Sequence, residues 1–411
     1  MNVKALQRVD RWFGVPLCGM LTGVRRGFGR TVPPPSRPRS ILVVKLAEQG
    51  STVLAYAALR RATEIAGREN VYFVALEDNR FILDLLDVIP RENVVTVPVR
   101  SPFAFLRGLL SAIRRLRALK LDAAVDLEFF SRGSAALAYL SGAKQRVGFH
   151  AFFGAGPYRG DLMTHRLLYN PHLHTSQTFL SLVEALLLDP ATLPTFEFVP
   201  PARPPQPPLF SPGPADLAVV EEIVFRDAIG RPPLILLNPN ASDLLPLRRW
   251  PRERYVQLAR RLLGKYPNVL IGFTGAPGEA TATAELVREV CSDRCISLAG
   301  KTTLPQLLVL YTLADVLVTN DSGPAHFATL TSIEVITLFG PETPHLFAAQ
   351  TPQNTAIWAG IACSPCVNAY NNRTSPCRNN RCMQAISVDQ VFAAVDRAFA
   401  KRTRSREALP A

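Results

Sequence analysis

The sequence predicts an α/β protein made of two doubly wound, Rossmann-like domains facing a cleft. Three observations carry this expectation. Short runs of Val, Leu and Ile recur without alternation, separated by helix-length segments, the pattern of strands buried on both faces of a parallel sheet. A proline-rich stretch, VPPARPPQPPLFSPGP, interrupts the pattern near the middle, where neither a helix nor an inner strand can form. Several apolar runs end in clusters of Asn, Asp, Ser, Gly and Pro, at the strand ends where open α/β sheets bind ligands. With 411 residues, 48% of them hydrophobic, the chain can fill two ordinary cores.

Residues 1–39 read as a basic, apolar leader and linker. Trp12 to Thr22 is an apolar run between Arg11 and the trio Arg25, Arg26 and Arg30. No small-x-small cleavage site follows cleanly, which argues against an export signal. Two readings stay open: an amphipathic segment resting on a cytoplasmic membrane face, and a floppy or core-docked leader. Pro33 to Pro38 is a stiff linker.

The first domain is expected over residues 40–187. Its strands are Ile41 to Leu46, Val71 to Leu76, Val94 to Val97, Asp122 to Asp126 and Arg146 to Phe149. Helices between them run from Thr52 to Ala66, Phe81 to Leu86, Pro102 to Leu119 and Ser131 to Leu140, with a last one from Leu173 to Leu187. Residues 150–172 break the rhythm. They are rich in Gly, aromatics, His and Arg and read as a long loop; such loops are usually functional or merely solvated. His150 and Arg159 on it are the candidate ligand contacts.

Residues 188–214 are the domain boundary, and the second domain covers 215–386. It opens with a helix from Ala215 to Asp227. Strands at Leu234 to Asn238, Asn268 to Thr274, Cys295 to Leu298, Ala314 to Thr319 and Glu334 to Phe339 alternate with helices at Arg252 to Lys265, Glu279 to Val290, Leu304 to Leu313 and Ala325 to Leu330. A final helix from Ser387 to Arg402, within a tail of residues 387–411, is expected to pack back toward the first domain.

The net charge of +13 favours anionic partners: phosphates, nucleic acid or an anionic membrane surface. No RRM, zinc-finger or homeodomain pattern supports nucleic acid. No run of about 20 apolar residues marks a spanning helix. Seven cysteines, an odd count without evident export, point to a reducing, cytoplasmic compartment. A Walker A loop, a G-x-G-x-x-G turn after a strand and a nucleophile elbow are all missing, so simple ATPase, dehydrogenase and hydrolase readings lose ground.

Three strand ends of the second domain carry polar groups. Asn238-Pro239-Asn240-Ala241-Ser242 leads to Arg248-Arg249-Trp250-Pro251, where an arginine fork suits a diphosphate. Thr274-Gly275-Ala276-Pro277-Gly278-Glu279 brings a carboxylate that suits ribose hydroxyls or simply the helix dipole. Asn320-Asp321-Ser322-Gly323-Pro324 leads a helix containing His326; helix capping is the plain reading, anion binding the functional one. Together they describe a nucleotide diphosphate pocket.

These motifs carry a family resemblance. LNPNAS with RRWP, TGAP-x-E, LAGKT, NDSGPAHFA, LFGP-x-T-P and the closing C-x-x-C…CM-x-x-I resemble glycosyltransferase family nine, the ADP-heptose:lipopolysaccharide heptosyltransferases. The opening ILVVKLAEQGSTVLAYAALR is similar to that family's first strand–helix turn, and the likeness covers about residues 40–400. It implies a GT-B fold, inversion at the anomeric centre and no obligatory metal. It implies an ADP-sugar donor on the C-terminal domain and a lipid-linked sugar acceptor on the N-terminal one. On this chain it assigns the diphosphate to Arg248 and to Asp321, Ser322 and Gly323, with His326 close by. The ribose falls to Glu279, the phosphate end to Ala241 and Ser242, and the adenine to Gly300 and Lys301.

One departure concerns the base. The family's first turn reads Leu-Gly-Asp, and here Ser51 occupies the Asp position. A serine cannot take a proton at neutral pH without a base beside it. Glu48 in the same turn is therefore the expected general base, with helix capping as its plain alternative. Rival readings are a GT-B transferase of another nucleotide sugar and a nucleotide-sugar-binding homologue without turnover. Cys363-x2-Cys366-x10-Cys377-x4-Cys382 has the count and spacing of a structural zinc site, against free thiols or disulfides.

Overall fold

A computed structural model describes residues 3–28, 37–154, 156–226, 228–241 and 245–407. The chain divides into two compact units, Met1–Pro207 with Asn368–Thr374 and Pro208–Val367 with Ser375–Ala411. The division falls inside the proline-rich stretch, where the missing amide donors leave nothing for a ladder to pair with.

The first unit holds β1 (Ile41–Val44), β2 (Val71–Leu76), β3 (Val94–Val97), β4 (Ala123–Asp126), β5 (Gln145–Phe149) and β6 (His165–Leu167). They form one sheet in the order β3-β2-β1-β4-β5-β6, parallel at every pairing. The second unit holds β7 (Leu234–Asn238), β8 (Leu270–Phe273), β9 (Cys295–Ser297), β10 (Val316–Asn320), β11 (Glu334–Phe339) and β12 (Asn354–Trp358). Their order is β12-β11-β10-β7-β8-β9, again all parallel. The inner strands are buried along their whole length, so their sequences need no alternation.

Both sheets reverse direction once. The chain moves outward from β1 to β3, then returns to lay β4 against the other side of β1; β7 and β10 repeat the move. Each reversal opens a crevice at the carboxyl ends of two adjacent strands, the usual ligand position in such sheets.

Four details differ from the expectation. The loop over 150–172 contains β6. An edge strand, β12, follows β11; its half-exposed NTAIW lacks the apolar run that marks an inner strand. The first crossover helix is broken into Gln49–Leu54 and Tyr56–Ala66. The final helix, Val388–Glu407, packs on the second unit's own sheet. Its stripe of Val391, Ala394, Val395, Ala398 and Phe399 lies in the core cluster with Tyr255, Leu258 and Leu262 of the helix Arg252–Lys265.

Residues 29–36, with most of the expected linker, lie outside the described residues. Before them, the helix Val3–Gly27 docks on the first unit through one face. Asp10 accepts from the backbone amides of Arg132 and Gly133 at 2.9 and 2.7 Å, filling the open N-terminus of the helix Arg132–Leu140. Cys18 and Leu21 join the first unit's core. Gly160, at φ 74°, approaches so closely that a side chain there would meet the Cys18 carbonyl oxygen at 2.8 Å. Arg25 pairs with Asp161 at 2.9 Å.

A buried histidine makes this unit acid-sensitive. His165 in β6 is fully buried; its Nε2–H donates to the Leu188 carbonyl at 3.3 Å and its Nδ1 meets the Thr164 hydroxyl at 2.9 Å. Burial pushes its pKa from 6.5 down to about 4. The folded value lies below the unfolded one, so the unfolded chain takes the proton first, and stability is lost as pH falls from 6.5 toward 4. The loss amounts to about 3 kcal/mol at the low end of that window. Thermal unfolding across the window is expected to show this slope, and His165→Gln is expected to flatten it.

Candidate functional site

In the second unit the crevice between β7 and β10 is organised by Asn320, the last residue of β10, which is fully buried. Its side-chain amide donates to the carbonyls of Pro239 and Asn240 at 3.1 and 3.0 Å. Its Oδ1 accepts from the Trp250 amide at 3.1 Å and stands 3.2 Å from the Tyr255 hydroxyl. One side chain thus ties the turn after β7, the Arg-Trp segment and the turn after β10 into a single frame.

Arg248 sits in that frame. Its guanidinium lies 3.5 Å from Asp321 Oδ2 and forms a tight ion pair with Glu342 through Nη2. Both carboxylates are buried, and the arginine side chain is 13% exposed. Its buried Nε makes no hydrogen bond among the described residues. A guanidinium held by two buried acids keeps its fork in one orientation, which is what bidentate phosphate recognition needs. Glu342 was absent from the expected set: it occupies the variable position of LFGP-x-T-P, and nothing local marks it as a partner of Arg248.

The neighbouring turns are close at hand. The Arg249 guanidinium donates to the carbonyl of buried Ala241 at 2.9 Å. Ser242 lies outside the described residues. Asn240 donates to the Thr274 carbonyl at 3.3 Å, joining the β7 and β8 turns. Glu279 accepts from the Ala276 amide at 2.7 Å, so one of its oxygens caps its own turn. Gly300, at φ 72°, donates its amide to Gly275 at 2.9 Å and packs on Pro277, beside exposed Lys301. Ser322 directs its hydroxyl to the Asn320 carbonyl at 3.1 Å rather than capping the helix Gly323–Ala328. His326 is buried within that helix.

In the first unit the crevice lies between β1 and β4. Glu128, just past β4, accepts the backbone amides of Leu46 and Ala47 at 2.8 and 3.1 Å and stands 3.4 Å from the ammonium of buried Lys45. It clamps the turn that presents Glu48. Glu48 adopts φ 68° and ψ 77°, a left-handed conformation costing a non-glycine residue about 1 kcal/mol or more. Its carboxylate forms an ion pair with Arg373. Ser51 donates to the Glu48 carbonyl at 3.0 Å and lies 3.4 Å from its Oε2. Glu48 is therefore not a side-chain cap: its carboxylate is turned toward Arg373 and Ser51.

Arg373 belongs to a segment expected with the second domain. Residues 368–374 instead count with the first unit. Tyr370 anchors them, its ring 5.6 Å from Phe130 and 5.2 Å from Tyr169.

Arg159 is a correction. It is fully buried, pairs with buried Asp126 through Nη2, and donates through Nη1 to the Phe129 carbonyl at 2.8 Å. These partners make it part of the framework, with no face for an acceptor. His150, at the carboxyl end of β5, is half-buried; burial and then the nearby Arg166 charge push its pKa down.

The cysteines also depart from the expectation. Among the described residues no group of three or more His, Cys, Asp or Glu could hold a metal. Cys382 is buried in the second unit's core, whereas Cys363 is exposed on a turn. Cys366 accepts from the Ser375 hydroxyl at 3.2 Å and Cys377 stands 3.6 Å from Asn379. All are free thiols, and the four do not fit a zinc tetrahedron. Among the described residues no helix is long and apolar enough to cross a membrane.

Comparison with known proteins gives consistent matches. Residues 109–375 match the model of glycosyltransferase family 9 (heptosyltransferase). Lipopolysaccharide heptosyltransferase 2 of Salmonella typhimurium is 33% identical over 115 residues, 27% of this chain and 32% of that protein. Lipopolysaccharide core heptosyltransferase OpsX of Haemophilus influenzae is 24% identical over 315 residues, 75% of this chain and 80% of that one. The first curated relatives are matched over about a third to a half of their length, 48% and 32% in two cases. The structure of E. coli ADP-heptose lps heptosyltransferase II superposes with a TM-score of 0.66 at 17% identity, covering 89% of this chain and 99% of that one. This likeness identifies the GT-B fold.

Proposed function

Because the chain belongs to glycosyltransferase family 9, the heptosyltransferases, we propose that it transfers a heptose or related sugar, with inversion, from an ADP-sugar to a lipid-linked, lipopolysaccharide-type glycan. The observation that carries this reading is Arg248, its fork oriented by Asp321 and Glu342 at the switch point of a nucleotide-type sheet. The choice of ADP draws on the name of the E. coli relative.

The acceptor hydroxyl oxygen attacks the anomeric carbon while Glu48 takes its proton. The bond from that carbon to the diphosphate oxygen breaks, and ADP leaves with the electron pair. Arg248 and the turn at Asp321, Ser322 and Gly323 meet the charge that develops on the leaving group. Ala241 and Ser242 border the phosphates, with His326 nearby. The second oxygen of Glu279 accepts from the ribose, and Gly300 with Lys301 borders the adenine. His150 contacts the acceptor. Arg373 and Ser51 orient the Glu48 carboxylate. The reaction requires no metal, and it takes place in the cytoplasm at the surface of the inner membrane.

A second reading, nucleotide-sugar binding without turnover, is favoured by Ser51 standing where the family carries Asp. Calorimetric titration with ADP, UDP, GDP and dTDP tests the donor side. Selective ADP binding supports the proposal, preference for another diphosphate overturns the donor, and binding to none removes the pocket. ADP binding without transfer to any lipid-linked acceptor would leave the second reading.

A further inference from the structure

The helix Val3–Gly27 is apolar on two faces. One face, with Cys18 and Leu21, is buried against the first unit. Positions 12, 13, 16, 20 and 24 repeat at helical spacing on the opposite side, and there Trp12, Phe13, Met20 and Val24 stand in solvent, Trp12 at 75% exposure. A surface helix normally turns polar groups outward, so this outer stripe needs a partner. A second element shares the feature. The helix Pro102–Ala118 exposes Phe103 and Leu106, Phe103 at 76%. Both helices pack against the helix Arg132–Leu140 and contribute to one hydrophobic cluster.

Charge identifies the partner. The two helices contain one carboxylate between them, Asp10, and it is bound to Arg132 and Gly133. Exposed Arg11 and Arg26 lie on the first helix, Arg26 3.7 Å from Asp161, and exposed Arg107 and Arg114 share the second helix with Phe103 and Leu106. Aromatic and aliphatic side chains with a basic rim suit the interface of an anionic bilayer, where arginine stems lie along the acyl boundary and their heads meet phosphates. Two copies of so basic a face would repel each other.

We propose that the outer face of Val3–Gly27, with Phe103 and Leu106, seats the first unit on an anionic membrane leaflet. The proposal rests on the reading that the acceptor is lipid-linked, and gives the enzyme a fixed approach to it.

The test is flotation of the full chain with phosphatidylethanolamine–phosphatidylglycerol vesicles and with phosphatidylcholine vesicles. The protein is expected to float with the anionic vesicles and to release at high salt. Trp12→Glu combined with Phe13→Glu is expected to weaken partitioning by about tenfold or more. ADP affinity and melting temperature should not change, because these side chains are exposed. If that variant misfolds, Phe103→Glu is the substitute. Tryptophan emission should shift to the blue on anionic vesicles, and Trp12→Phe should remove the shift while flotation persists. No flotation, flotation of the double variant at the wild-type level, or a dimer in light scattering broken by the same substitutions would overturn the proposal. Retained ADP binding in any of those cases leaves the transferase reading intact.

Discussion

Arg248→Ala is expected to weaken ADP binding by about a hundredfold and to destabilise the second unit at the same time. The two losses have separate causes. A diphosphate loses charge-assisted, forked hydrogen bonds, each worth about 1.5 to 3 kcal/mol. Asp321 and Glu342, both buried, lose the cation they share. Breaking this buried ion pair costs about 3 kcal/mol, the lower end for such a pair, because the arginine is slightly exposed. Arg248→Lys separates the effects. An ammonium restores the charge, so most of the stability should return, but it cannot reproduce the fork, so affinity should stay low. Calorimetry with ADP and thermal unfolding measure the two quantities. Wild-type ADP affinity in a folded Arg248→Ala protein would show that the diphosphate lies elsewhere.

Glu48→Gln should lower the transfer rate by about a thousandfold with ADP affinity unchanged, the size expected for a lost general base. The amide keeps the shape of the side chain but cannot accept the proton. Arg373 acts through Glu48, so Arg373→Ala should lower kcat by about tenfold and leave the donor KM alone, with Arg373→Lys recovering part of the loss. Ser51→Ala removes one neutral hydrogen bond and should change turnover by no more than about fivefold. Turnover of Glu48→Gln near the wild-type level would exclude Glu48, and a Ser51→Ala loss as large as that of Glu48→Gln would mean the serine has the greater share.

Much of this was legible along the chain. The Val- and Leu-rich runs of β1, β2, β7, β10 and β11 announced inner parallel strands, and the turn residues after β7, β8 and β10 announced where those strands stop. The proline-rich stretch marked where the units divide. Glu48 stood out because Ser51 could not fill the base position alone. Other elements gave weak signals. β6 and β12 are edge strands only a few residues long, with too few apolar positions to set a period. The outer face of Val3–Gly27 could not be told from its inner face, since both are apolar.

Hydrophobic period and turn chemistry are local, so the sequence by itself determined the inner strands, most of the helices between them, the α/β class and the polar strand ends. Charge pairing is not local, and only the tertiary structure decided it. Arg248 meets Glu342 across 94 residues, and Arg373 meets Glu48 across 325. Arg159 reaches Asp126 and becomes framework, although its loop position resembled that of a ligand contact. Of four cysteines with the spacing of a metal site, one is buried, one is exposed and two are half-buried. In each case the side chain's identity fixes what it can bind, and the crossover that brings a distant strand end beside it decides what it does bind.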